Sequence, residues 1–137
     1  MTIVGFNFTK LLAEKNKSKS GEINVSNNIS IKEVKKAKLN MGKSKRTGLE
    51  INFQFLSKYN PEIGKIELHG KVVMMEKEDK IKKVLEVWEE KKSLPRDIVE
   101  NLYNSILRKC NVQAIVMSRD IQLPPPIPMP KVKKGKK

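Results

Sequence analysis

The apolar residues of this chain follow two different periods, and the change of period divides it. Leu49, Ile51, Phe53 and Phe55 alternate with Glu50, Asn52 and Gln54, so the apolar set shares one face of a strand. Ile66, Leu68, Val72 and Met74 alternate in the same way with Lys65, Glu67, His69 and Lys71. Between the two runs, Tyr59-Asn60-Pro61-Glu62-Ile63-Gly64 has turn chemistry: Pro61 fixes φ, and Gly64 accepts a positive φ. The pair therefore predicts an antiparallel hairpin. Upstream, Ile3 to Thr9 is rich in β-formers with Phe6 and Phe8 on one face, which predicts a strand and leaves Lys10 to Lys15 open. Ile23, Val25, Ile29 and Ile31 keep even spacing but are interrupted at Ser26-Asn27-Asn28, so a strand with a bulge or turn is expected over Ile23 to Leu39. Val34, Ala37 and Lys38 fit a helical turn equally well. Lys15 to Gly21 reads as a polar turn and Asn40 to Gly48 as a loop.

After Met74 the period becomes helical. Ile81, Val84, Leu85 and Trp88 fall at i, i+3, i+4 and i+7, with Asp79 available as N-cap and Lys91-Lys92 near the C-terminus. Ser93-Leu94 interrupts, and Pro95 suits the first position of a second helix whose face runs through Ile98, Leu102, Ile106 and Leu107. Cys110, Ala114 and Met117 extend it to about Arg119, with a strand over Val112 to Met117 as the competing assignment. Leu123-Pro-Pro-Pro-Ile-Pro-Met-Pro130 excludes helix and predicts an extended polyproline segment. Its Leu123, Ile127 and Met129 make it too apolar for a free linker, so a strap laid on the domain surface is expected. The PxxP spacing of Pro125 and Pro128 also fits an SH3-type ligand. Strands first and helices later give an α+β fold: an antiparallel sheet of about four strands covered on one face by two helices. One domain is expected over residues 1–130, with 131–137 as a disordered basic tail.

Charge changes the picture only when it is located. The 137 residues carry 29 Lys and Arg against 15 Asp and Glu, a net +14. Residues 1–50 hold 11 basic and 4 acidic side chains, net +7, and residues 131–137 hold 5 basic and none acidic. The intervening residues 51–130 hold 13 and 11, net +2. The excess lies in the flanks and not on the expected folded centre. Lys131, Lys133, Lys134, Lys136 and Lys137 are the candidate polyanion contacts, with weak nucleic-acid binding as the consequence. No export signal and no long apolar run are visible, so a cytoplasmic protein without membrane insertion is expected, and the Asn-x-Ser/Thr sites at Asn7, Asn16, Asn24 and Asn28 are then fortuitous.

Little of the usual catalytic chemistry is present. One Cys and one His exclude a disulfide framework and leave no credible ligand set for a metal, so no cofactor is expected. Cys110 lacks a base and reads as a small core side chain, and His69 as an exposed or edge-packed residue. Gly42-Lys43-Ser44 lacks the glycine that a phosphate loop needs at position 37, which is Ala37. The carboxylates Glu76, Glu78, Asp79, Glu86, Glu89 and Glu90 alternate with lysines as on a solvated helix, with Glu78–Lys82 as a typical pair. The chain is read as no enzyme. Trp88 is a core anchor or an interface anchor. Phe6, Phe8, Phe53 and Phe55 are core, or else a base-stacking platform if they lie on the face that the helices leave bare.

The C-terminal part resembles a known family. A long helix ending in Met117-Ser118-Arg119, a short connection and then Leu123-Pro-Pro-Pro-Ile-Pro-Met-Pro-Lys-Val132 looks like the end of the bacterial export chaperone SecB and SecB-like proteins. Members close their main helix with a serine–arginine turn and a proline-rich strap, and the resemblance spans about residues 3–132. It implies a four-stranded antiparallel sheet with helices on one side, assembled through sheet edges and helices into dimers or tetramers. It also implies an ATP-independent holdase for unfolded or nascent polypeptides, with Trp88, Leu123, Ile127 and Met129 as the candidate apolar client surface. Two features depart from the family: SecB is acidic where this chain is basic, and the helix expected over Lys80 to Glu90 has no counterpart before the main helix. The alternative reading is a basic RNA- or ribosome-associated protein, resting on the flanks alone.

Overall fold

The computed structural model describes residues 2–16, 23–41 and 44–126, which fold as α+β. Four strands come first: β1 (Thr2–Lys15), β2 (Asn24–Met41), β3 (Ser44–Asn60) and β4 (Gly64–Met75). Two helices follow, α1 (Glu78–Lys91) and α2 (Arg96–Asp120). The strands form one open antiparallel sheet in the order β1-β4-β3-β2, so β1 and β2, neighbours in sequence, lie at opposite edges. The rest of the proline-rich segment from Ile127 and the basic tail lie outside the described residues, as do Lys17 to Glu22 and Gly42-Lys43.

Directly paired residues of antiparallel strands point to the same side of the sheet. Leu49, Ile51, Phe53 and Phe55 of β3 and Ile66, Leu68, Val72 and Met74 of β4 therefore build one buried face, and both helices close over it. Ile81, Val84 and Trp88 come from α1; Ile98, Leu102, Ile106, Cys110 and Ala114 come from α2. The α2 set repeats every four residues, the ridge spacing with which a helix packs its side chains. The other face is a chequer of charge. Glu50 lies 3.0 Å from Lys35 and 3.7 Å from Lys71, and Glu67 lies 3.6 Å from both Lys10 and His69. Burial pushes the Glu67 carboxyl up, but His69, Lys10 and Lys65 together hold it below the ordinary carboxylate range.

The two edge strands keep their apolar residues on the core side by breaking register. In β1 the pairing shifts between Ile3 and Gly5 and between Phe8 and Lys10. Ile3, Phe6, Phe8, Leu11 and Ala13 thus all face the helices despite their uneven spacing. In β2 the shift falls between Ile31 and Glu33, which brings Val34 onto the face already occupied by Ile29 and Ile31. Two expectations are corrected here, and one segment left open is assigned. The β2 bulge is not at Ser26-Asn27-Asn28, where pairing is continuous. Most of the segment Asn40 to Gly48 is strand and not loop, because β2 runs to Met41 and β3 starts at Ser44. β1 likewise continues through Lys10 to Lys15.

The connections differ in detail. The β3–β4 turn has a cis Asn60–Pro61 peptide, and Glu62, not Gly64, adopts positive φ (49°). Gly64 is required for a different reason: the Glu14 carbonyl of β1 occupies the space that a Cβ would need. Asp79 does not cap α1. Lys77 stands at the N-cap without a side-chain hydrogen bond, and Glu78 and Asp79 lie in the first turn, where the helix dipole favours acids. Glu78 pairs across to Lys36 of β2 at 3.6 Å, outside its own helix. The two helices are tied by Lys80 of α1 and Asp97 of α2 at 2.9 Å. That hydrogen-bonded pair raises the lysine and lowers the carboxyl. Pro95 occupies the N-cap of α2, one place before the expected position, and α2 continues as helix through Val112 to Met117.

Candidate functional site

An open apolar feature lies between the flank of α2, which packs over β4, and edge strand β2, on which α1 packs. On β2, Ile29 and Ile31 pair with Phe55 and Phe53, so they point to the helix side. On α2, Val99, Tyr103 and Leu107 each stand one position after the buried Ile98, Leu102 and Ile106. That offset turns them toward the flank of the helix instead of its underside. Between these walls run two neighbouring clefts that share Tyr103. One, of about 300 Å³, is lined by Ile31, Trp88, Lys92, Ser93, Leu94, Val99 and Tyr103. The other, of about 270 Å³, is lined by Asn27, Asn28, Ile29, Phe55, Tyr103 and Leu107. Together they form a groove that follows β2 from Asn27 to Ile31.

The upper end of the groove is set by the end of α1. Lys92 adopts a left-handed conformation (φ 53°) and donates its backbone N–H to the Trp88 carbonyl, ending the helix. Its ammonium then sits 5.7 Å over the indole ring, a cation–π contact. Trp88 is thus packed in the core, as the core-anchor reading expected, and also lines the cleft.

The lower end is set by the start of the proline strap. After α2, Leu123 donates its N–H to the Ser118 carbonyl and buries its side chain. The Tyr59 hydroxyl of β3 donates to the Pro124 carbonyl at 2.5 Å. Asn27 of β2 donates through Nδ2 to the Pro126 carbonyl at 2.9 Å, and its Oδ1 accepts from the Ser57 hydroxyl at 2.5 Å. Burial pushes the Tyr59 hydroxyl up to about 12, so it stays a donor at any ordinary pH. Asn27 and Ser57 sit on the apolar side of the sheet because they receive the strap, which also explains why the alternation breaks there.

Of the sequence candidates, the structure brings Trp88 and Leu123 to opposite ends of this region. Ile127, Met129, Lys131, Lys133, Lys134, Lys136 and Lys137 lie outside the described residues. The wall residues Ile29, Ile31, Val99, Tyr103 and Leu107 were read only as core or passed over. The i, i+4 spacing of Val99, Tyr103 and Leu107 beside the deeper apolar row is the signal that marks them.

Phe6, Phe8 and Phe53 form a ring cluster on the helix side, with centroids 5.2 to 6.5 Å apart and Lys109 over Phe6. Among the described residues the bare face carries no Phe, Tyr or Trp, so the base-stacking option for the sheet is set aside. Cys110 is fully buried, and burial pushes its thiol up to about 12, the opposite of nucleophile activation. Among the described residues no three His, Cys, Asp or Glu side chains are grouped to hold a metal, and no helix is long and apolar enough to cross a membrane. The chain matches no protein-family model, no curated protein and no solved structure.

Proposed function

We propose that this protein is a SecB-like, ATP-independent binder of unfolded or nascent polypeptides, with the groove between β2 and α2 as its client site. The observation that carries the reading is an apolar groove running beside a strand edge that no other described strand pairs with. An extended client can set alternate side chains into the two clefts and lay its backbone along β2. Release and capture then depend on apolar burial and main-chain hydrogen bonds, with no nucleotide and no covalent step. The protein is a cytoplasmic binder and not an enzyme. The four-stranded antiparallel sheet with helices on one face is the architecture that the SecB resemblance implies, which supports the reading. The outer edges of β1 and β2, 14 and 18 residues long and unpaired among the described residues, support self-assembly into dimers or tetramers through the sheet.

The test is light scattering from a thermally or chemically unfolded model protein, without ATP. The expected result is suppression of aggregation at near-stoichiometric ratios. No protection at any ratio overturns the reading. RNA binding that weakens linearly in log salt and disappears with residues 131–137 would instead point to the basic flanks as the working surface.

A further inference from the structure

We propose that the far end of the β2–β3 hairpin is a nucleic-acid-binding arm, a basic two-stranded ribbon that seats in the major groove of B-form duplex DNA. The arm uses none of the residues that line the client groove and does not depend on the function proposed above.

The backbone carries the first half of the inference. β3 pairs with β4 only as far as Gly48, whose partner Met75 is the last residue of β4. β2 and β3 continue past that point as partners of each other, from Lys38 opposite Thr47 to Met41 opposite Ser44. Among the described residues the sheet is therefore two strands wide here, over four residue pairs and about 13 Å of strand. The buried core has already ended: among the described side chains, its last apolar members on this hairpin are Val34 and Leu49. A bare two-stranded ribbon is marginally stable in water, so apolar burial does not account for the length of this one.

The sequence carries the second half. At the root of the arm the lysines are matched: Lys35 lies 3.0 Å from Glu50, and Lys36 lies 3.6 Å from Glu78. Past Lys36 the chain has no acidic residue until Glu50. Residues 37–47 hold four basic residues, Lys38, Lys43, Lys45 and Arg46, more than half of the net +7 of residues 1–50. Lys38 is exposed, and Lys45 and Arg46 occupy the β3 register positions opposite Asn40 and Leu39. Lys43 lies outside the described residues. Both strands of the ribbon thus carry uncompensated positive charge.

Width and chemistry select the partner. Duplex DNA presents one phosphate charge per about 1.7 Å of its axis, the complement of an arm with cations and no acids. Two strands about 5 Å apart make a ribbon that the major groove of B-form DNA, about 12 Å wide, admits. The minor groove, about 6 Å wide, and the deep, narrow major groove of A-form RNA do not. Single strands are held by stacking on aromatic side chains, and residues 35–47 contain no Phe, Tyr, Trp or His. Contacts of this kind go to backbone phosphates and position the arm without reading sequence.

The experiment is fluorescence anisotropy of a labelled duplex of about 20 base pairs, two helical turns, titrated with the full chain over a series of salt concentrations. The variant carries Lys38→Gln, Lys45→Gln and Arg46→Gln. Loss of three phosphate contacts is expected to flatten the slope of log K against log salt by about 2.7, so that the affinity ratio of parent to variant falls about fortyfold between roughly 50 and 200 mM salt. The same change is expected in a chain ending at Pro130, which lacks the C-terminal lysines. Lys38→Arg with Lys45→Arg keeps the charges and is expected to bind as the parent does. Methyl green, which occupies the major groove, is expected to displace the parent chain, and netropsin, which occupies the minor groove, is not. These two competitions decide the matter even where the glutamine variant fails to fold. Equal salt slopes in the parent and the folded variant overturn the inference. So does equal affinity for the RNA duplex of the same sequence, displacement by netropsin alone, or arm-dependent binding to phosphatidylserine vesicles without binding to the duplex.

Discussion

Gly70, at the centre of β4, gives the sharpest test of how the sheet carries the groove. It faces the helices between Phe8 of β1 and Phe53 of β3. A Cβ added there would lie 2.6 Å from the Phe53 ring and 2.7 Å from the backbone carbonyl of Asn7. The ring can tilt only by disturbing its packing on Phe6, 5.3 Å away, and the carbonyl can retreat only if β1 separates from β4. Phe53 also pairs with Ile31, so the displacement reaches the groove wall. Overpacking of this kind costs about 1–3 kcal/mol, and the gain of about 0.5–1 kcal/mol from removing a strand glycine offsets only part of it. Gly5 is the control, because its added Cβ would meet Val73 at 3.6 Å, an ordinary contact. Thermal unfolding followed by circular dichroism is expected to place Gly70→Ala below the parent by about 4 °C per kcal/mol. Gly5→Ala is expected to be neutral or slightly stabilising. Equal Tm values for the two variants would refute the packing around Phe53.

Ile106→Ala removes a fully buried side chain from beneath α2 and is expected to cost about 2–5 kcal/mol, read as a lower urea midpoint with an unchanged m-value. Stability is also expected to fall on the alkaline side. Burial raises Cys110 from 9.0 and Tyr59 from 10.0 to about 12 each. Their contribution is complete below the unfolded values and is lost as pH rises from 9 toward 12, at about 1.4 kcal/mol per pH unit for each group in its window. Urea titrations across that range would show the slope, and Cys110→Ala together with Tyr59→Phe should flatten it.

The centre of the sheet was legible because its chemistry is strictly periodic. β3 and β4 lie between other strands and under helices, so every second residue must be apolar, and Leu49 to Phe55 states that without ambiguity. The edges obey the same physics through bulges. Phe8 and Leu11 share a face only because Thr9 is extra, and no local residue announces that insertion. Ser44 to Gly48 looked like a loop because a hairpin arm can extend on backbone pairing alone, without an apolar alternation to announce it. The site was half legible. The apolar prolines pointed to a strap and Trp88 to an anchor. The groove between them depends on which flank of α2 faces β2, a tertiary relation that the 3.6-residue period leaves open. Asn27, noticed only as a break in the alternation, and Ser57, passed over, are polar residues at core-facing positions, explained by the Pro126 carbonyl that Asn27 receives and by the Ser57 hydroxyl that holds Asn27.

The most direct measurement is the affinity of a fluorescent, permanently unfolded polypeptide for the parent chain, Leu107→Asp and Val112→Asp. Both leucine and valine are exposed on α2, Leu107 in the groove wall and Val112, at 63%, outside it. Losing one apolar contact to a client, about 1.5–3 kcal/mol, weakens binding roughly tenfold to a hundredfold. Leu107→Asp should show that loss while Val112→Asp binds as the parent does. Equal affinity in all three, or a loss confined to Val112→Asp, would contradict the groove as the client site.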